Sequence, residues 1–261
     1  MSIFGFEIEG TLDSIIQRLP RKKFFLKTLV ATLQLCYSIN RHKNIRNYLD
    51  KNKTRKLHLG CGTQILESWL NTDLCPNDAV QFLDVTKKFP FDDCVFDYVF
   101  SEHLIEHLEY PDGKKMLRES YRVLKPGGKI RIATPDLKFL ISLLAAEKGK
   151  EQENYMEWMQ QKKYIKWVTD HFLKEKVSSY DGVFVINNAF RNWGHKFIYD
   201  SNVLQSGLKE AGFDKIKQWK LGESGDPKLR NIESHGRAVE EKTIKKMETF
   251  VLEATKPLAN D

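Results

Sequence analysis

Leu57-His58-Leu59-Gly60-Cys61-Gly62-Thr63 runs from an apolar stretch into a glycine turn. Glycine has no Cβ, so a ligand can approach the backbone closely there and positive φ costs little. Asp73 stands 13 residues after Gly60, and Asp84 stands 11 residues after Asp73. Carboxylates at successive strand ends accept hydrogen bonds from ribose hydroxyls and from an adenine amino group. A dinucleotide site instead asks for GxGxxG, whose third glycine packs a helix with its N-terminus at the pyrophosphate. Ile65 occupies that third position, and the chain has no GK[ST] phosphate loop. A nucleoside ligand without phosphates fits these residues better than NAD or ATP.

A second constellation is His103-Leu104-Ile105-Glu106-His107, an HxxEH spacing. On a helix, two histidines four apart share a face and bind Zn²⁺ with the carboxylate as base, as in inverted zinc peptidases. The alternatives are histidines that pack or hydrogen-bond at a cleft wall, or a histidine beside an acceptor. The surroundings oppose the hydrolase, because the segment directly follows an apolar strand and precedes Arg122-Val123-Leu124-Lys125-Pro126-Gly127-Gly128. No bound metal is expected. Arg191, Trp193, Arg230, Glu233 and His235 cluster in two polar-aromatic segments. Such residues suit a sugar, stacking on its ring and addressing its hydroxyls, and they suit ordinary loop ion pairs equally.

The elements that must position these groups alternate from Arg55 onward, short apolar strands with helices, as in a parallel α/β sheet. Strands are predicted at 56–60, 69–73, 80–84, 96–100 and 128–134, with a helix at 112–124 that stops at Lys125-Pro126-Gly127-Gly128. The stretch 137–195 reads as a helical insertion over the sheet's carboxyl edge, helical at 137–146 and 151–175; in the second helix Trp158, Ile165, Val168 and Phe172 share a face. A helix at 200–211 and strands at 213–220 and 247–255 complete the pattern. The domain itself is expected over 55–261, preceded by a basic helical arm over 1–54.

Charge separates the two parts. Residues 1–56 hold twelve Lys/Arg against four Asp/Glu, whereas the remainder holds thirty against thirty-one. The overall charge of +7 therefore belongs to the arm. A nucleic-acid substrate for the main domain loses its simplest support. Within the arm, Leu26, Val30, Leu33 and Tyr37 share a helical face flanked by Lys22, Lys23, Lys27 and Arg41. That helix suits docking on its own domain or a partner subunit, or peripheral membrane contact; its polar interruptions make it a poor transmembrane span. Cys36, Cys61, Cys75 and Cys94 form no CxxC pair, and acidic residues rather than a basic run stand near the start. Free thiols in a reducing, cytoplasmic compartment are expected.

Taken in order, LHLGCGT, Asp73, Leu83-Asp84-Val85, FDYVFSEHLIEHL (96–108) and YRVLKPGGKIRIATPD (121–136) resemble the class I S-adenosylmethionine (SAM) dependent methyltransferases. Together with NWGHKFIYD (192–200), LKEAGF (208–213) and LRNIESHGRA (229–238), they look most like predicted methyltransferases of bacterial glycan-synthesis genes. The resemblance spans about residues 55–257. It implies a Rossmann-like, seven-stranded, mostly parallel sheet with helices on both faces, and SAM as cofactor. Carried over by position, it implies Gly60, Cys61 and Gly62 along the methionine portion and Asp73 on the ribose. Asp84 with Val85 would hold the adenine, and Ser101 with Glu102 would border the methionine amine and transfer site. The short segment after the loop and Gln64, where many relatives have glycine, depart from the pattern.

Methyl transfer from a sulfonium is an in-line displacement that depends on alignment. An alcohol acceptor must also lose its proton, for which His103, His107 and His195 are candidates, with Asp136 as a carboxylate alternative. The expected reaction is O-methylation of a saccharide or nucleotide-linked sugar. A small metabolite or protein side chain as acceptor, or a non-catalytic nucleoside-binding module, are the competing readings. No [DN]PP[YFW] motif follows the fourth strand, which speaks against a base in nucleic acid as acceptor.

Overall fold

The computed structural model describes residues 41–161, 181–191, 194–234, 244 and 246–258. Its strands are β1 Lys56–Leu59, β2 Leu70–Asp73, β3 Gln81–Phe82, β4 Phe96–Glu102, β5 Leu124–Pro135, β6 Asp214–Trp219 and β7 Thr249–Thr255. Helices are α1 (41–51), α2 Tyr110–Val123, α3 Leu137–Ser142, α4 Lys150–Gln161, α5 Gly182–Arg191 and α6 Ser201–Glu210. One seven-stranded sheet runs in the order β3-β2-β1-β4-β5-β7-β6. β1 to β5 pair in parallel, and β7 lies antiparallel between β5 and β6. This is the mostly parallel, Rossmann-like sheet predicted from the sequence. Strand order reverses between β1 and β4, so a crevice opens at their carboxyl ends, where such sheets take ligands.

Register explains which residues form the core. Leu57, Val99, Ile130 and Ala254 are cross-strand neighbours, as are Leu59, Ser101, Ile132 and Leu252. These rows carry the main apolar cluster, to which α2 adds Met116, Leu117 and Val123, and α6 adds Leu204 and Leu208. The alternate row on the other face is His58, Phe100, Arg131 and Glu253. A small cluster of Trp69, Phe100 and Leu229 covers part of that face. The segment 222–234 crosses there. Tyr98 Oη and Lys129 Nζ both donate to Asp226 Oδ2, at 2.9 and 2.8 Å, and Arg131 donates to Glu233, Glu253 and the Glu223 carbonyl.

Helix α2 starts two residues earlier than predicted, because Pro111 is accepted in a first turn where its missing N–H is unneeded. Its C-cap, Leu124, is already extended, so the chain enters β5 directly, and Gly127 takes φ +77° at the irregularity that follows. Within 137–195, α3, α4 and α5 share their own cluster of Leu140, Leu143, Tyr155, Met156, Met159, Val185 and Ala189. α5 is a helix the pattern does not separate. The predicted face of Leu26, Val30, Leu33 and Tyr37, the continuation through Ile165, Val168 and Phe172, and Cys36 lie outside the described residues. Among the described residues no helix is long and apolar enough to cross a membrane.

Candidate active site

Strand β1 ends at Leu59, and the chain turns through Gly60 at φ +60° and Gly62 at φ +51°. The two glycines serve different purposes. A Cβ on Gly60 would lie 2.6 Å from Leu104 Cδ1, whereas one on Gly62 would meet nothing within 4 Å. Gly60 therefore lets the 103–107 segment close onto the loop, and Gly62 faces open space. That space is a cleft of about 330 Å³ lined by Gly62, Thr63, Ile65, Asp73, Cys75 and Asn77. Asp73, at the end of β2, holds the cleft's backbone, its Oδ2 accepting from Gly62 N at 2.9 Å and its Oδ1 from Cys75 N at 2.9 Å. A carboxylate oxygen has two lone pairs, so each retains one for a further donor. Burial, then the Asp73 charge, push the Cys61 thiol up to about 12, so it stays protonated.

Asp84 accepts at Oδ1 from Thr86 N (2.9 Å) and Thr86 Oγ1 (2.6 Å), closing a local turn. Val85 is buried in the main core. Ser101 is buried within β4, between Leu59 and Ile132. Glu102, at the strand's end, accepts at Oε2 from Ser234 N at 3.0 Å. Ser234 also exchanges two hydrogen bonds with Gln64, whose Nε2 donates to the Ser234 carbonyl at 3.0 Å. Gln64, a departure from the family pattern, thus joins the glycine loop to the 222–234 segment.

Beyond β4 the residues 103–107 are not an α-helix. His103 takes φ +48°, and only Ile105–His107 form a single 3-10 turn. The shared helical face expected of HxxEH is therefore not formed, and the cluster is regrouped. His103 Nδ1 lies 3.0 Å from Glu106 Oε1, and its Nε2 lies 3.4 Å from Thr249 Oγ1. Glu106 is wholly buried, and its Oε2 accepts from Thr134 Oγ1 at 2.9 Å. Burial works to raise the Glu106 pKa. The hydrogen bond from His103 and the charges of His103, His107 and His195 outweigh it and hold the carboxyl at about 2. His195 arrives from beyond α5, its ring edge-to-face with His107 at 4.8 Å between centroids. Burial is the main cause of its lowered pKa, opposed by Glu106.

Asp136 follows β5 and caps α3, accepting from Lys138 N at 2.9 Å; burial raises its pKa. Arg191 is exposed at the end of α5, and Arg230 Nε donates to the Ser224 carbonyl at 2.7 Å. Trp193 and His235 lie outside the described residues. Thr134, Thr249 and Ser234 are site neighbours that sequence reasoning did not single out, although Thr134 stands within YRVLKPGGKIRIATPD and Ser234 within LRNIESHGRA. Leu104 binds the two halves together, since its side chain rests on Gly60 while its neighbours carry the histidine cluster.

Residues 57–132 match a family model described as a methyltransferase domain. Phosphoethanolamine N-methyltransferase 2 of Caenorhabditis elegans is 33% identical over 77 residues, covering 30% of this chain and 15% of that protein. The chain thus spans a small part of that curated relative's length. A SAM-dependent methyltransferase from Archaeoglobus fulgidus aligns over 85% of this chain and 93% of its own, at 18% identity and a TM-score of 0.47. Another from Mesorhizobium loti covers 77% and 90%, at 14% identity and a TM-score of 0.44. The matched stretch holds the glycine loop, both strand-end aspartates and residues 103–107.

Proposed function

We propose that the protein transfers a methyl group from SAM to a hydroxyl of a saccharide or nucleotide-linked sugar. The observation that carries this reading is the polar cluster of His103, Glu106, Thr134 and Thr249 against the cofactor loop, joined to it through Leu104 on Gly60. An acceptor hydroxyl must be oriented by hydrogen bonds and must lose its proton, and this cluster offers both donors and acceptors. Gly60, Cys61 and Gly62 line the methionine portion, Asp73 takes the ribose, and Asp84 with Val85 borders the adenine. Glu102 sits where the methionine amine would lie, at the junction of the two regions. Arg230 and Glu233 belong to the segment that closes over this end of the sheet. The likeness to glycan-synthesis methyltransferases supplies the acceptor class.

A second reading is N-methylation of a small phosphorylated amine, favoured by the 77-residue similarity to a phosphoethanolamine N-methyltransferase. Labelled SAM offered with nucleotide sugars, short glycans and phosphoethanolamine separates the two. Label in the sugars supports the first, and label in phosphoethanolamine alone replaces it with the second.

A further inference from the structure

We propose that Glu106, His107 and His195 form a binding site for a divalent transition-metal cation of the zinc or manganese class, beside the methyl-transfer site. Their candidate ligand atoms all lie within 4.8 Å of one another. Two imidazole nitrogens and one carboxylate oxygen make a donor set that selects such cations over calcium or magnesium, and three protein ligands leave positions open for a substrate.

Three features of the cluster are those of a built site. First, the ligand-bearing segments are stitched together. The Glu106 carbonyl accepts from Lys196 N at 2.7 Å and Phe197 N at 3.2 Å, which ties the 3-10 turn to the residues after His195. Second, the tautomer of His195 is fixed by its backbone partner. Its Nδ1 lies 2.6 Å from the Ala189 carbonyl, which only accepts, so the proton is on Nδ1 and the lone pair is on Nε2. A ligating histidine is oriented in this way, donating its other ring nitrogen to a carbonyl or carboxylate. Third, Glu106 is anchored at both oxygens, to His103 Nδ1 and Thr134 Oγ1, and each oxygen keeps a lone pair for a cation. In this grouping Glu106 is a ligand, His103 is its support, and His195 comes from 88 residues away, so HxxEH was half of the motif.

The role follows from place and rests on the O-methylation reading above. A vicinal pair of sugar hydroxyls would fill the open positions. A hydroxyl held there gives up its proton more readily. That proton leaves to water, the oxygen lone pair forms the new O–CH₃ bond, and the C–S bond breaks with its pair returning to sulfur. Neutral S-adenosylhomocysteine is the second product.

The test uses the full chain, stripped with chelator and titrated calorimetrically with Zn²⁺ and Mn²⁺, with Co²⁺ as the spectroscopic probe. About one equivalent should bind, with Co²⁺ giving d–d bands of a nitrogen-ligated ion. His195→Ala and His107→Ala should each weaken binding by more than about 10-fold. His42→Ala, on the exposed face of α1, should leave it unchanged. SAM is titrated into the same samples. No stoichiometric uptake, or uptake unaffected by His195→Ala and His107→Ala, overturns the cation site; SAM binding retained in those samples leaves the methyltransferase reading standing. Cation uptake without SAM binding does the reverse.

Discussion

Asp73 holds the glycine loop and Cys75 through two backbone amides at once, and its removal should release both. Asp73→Ala is expected to weaken SAM binding by about 1–3 kcal/mol, read by calorimetry; unchanged affinity would remove it from the ribose. Gly60→Ala tests the other half of the loop. The alanine would have to hold φ +60° and displace Leu104, so a loss of about 1–2 kcal/mol in unfolding free energy is expected from the backbone alone, together with weaker SAM binding. Denaturant melts that match the parent protein would show the turn to be relaxed. These residues were legible in the sequence because glycine and a strand-end aspartate announce themselves by type. Glu106 was legible by type but not by role. HxxEH presupposes a helix, whereas the chain leaves β4 through a left-handed residue at His103 and coils for only one tight turn.

At the scale of elements, the middle of the sheet is held by unlike interactions on its two faces. One is apolar, under α2 and α6; the other buries Arg131 between Glu233, Glu253 and the Glu223 carbonyl, tying down 222–234. Arg131→Met would leave two buried carboxylates uncompensated, at about 3–5 kcal/mol of stability in a urea titration. It should also free Ser234 from Gln64 and Glu102, weakening SAM binding; a variant of parental stability would contradict the strut. In the same row, His58 is buried against Asn71 and its pKa is lowered to about 4 by burial. The unfolded chain, with histidine near 6.5, binds the proton first. Stability from this group is therefore complete above about pH 6.5 and is lost as pH falls toward 4, by about 3 kcal/mol. His58→Gln should flatten that part of the stability–pH curve, and an unchanged slope would exonerate His58. Strand positions were readable from apolar alternation to within a few residues. The 222–234 crossing was not, because polar loops carry no period and an Arg131–Glu233 pair is invisible to any local window.

At the scale of the molecule, the reversal of strand order at β1 and β4 places the glycine loop, Asp73, Glu102 and the histidine cluster along one carboxyl edge. The three-helix cluster of α3, α4 and α5 stands next to it, delivering His195 from beyond α5. Sequence order alone separates His107 from His195, and only the fold brings the two rings together. The glycine loop and the strand-end aspartates thus come from contiguous motifs, while the histidine cluster is assembled from distant segments. The proposed methyl transfer to a sugar hydroxyl is measured directly by a radiolabelled methyl-transfer assay over nucleotide sugars and short glycans, with phosphoethanolamine alongside. The expected result is label in a saccharide, matched mole for mole by S-adenosylhomocysteine. SAM bound without label in any saccharide, or label in phosphoethanolamine alone, would contradict it.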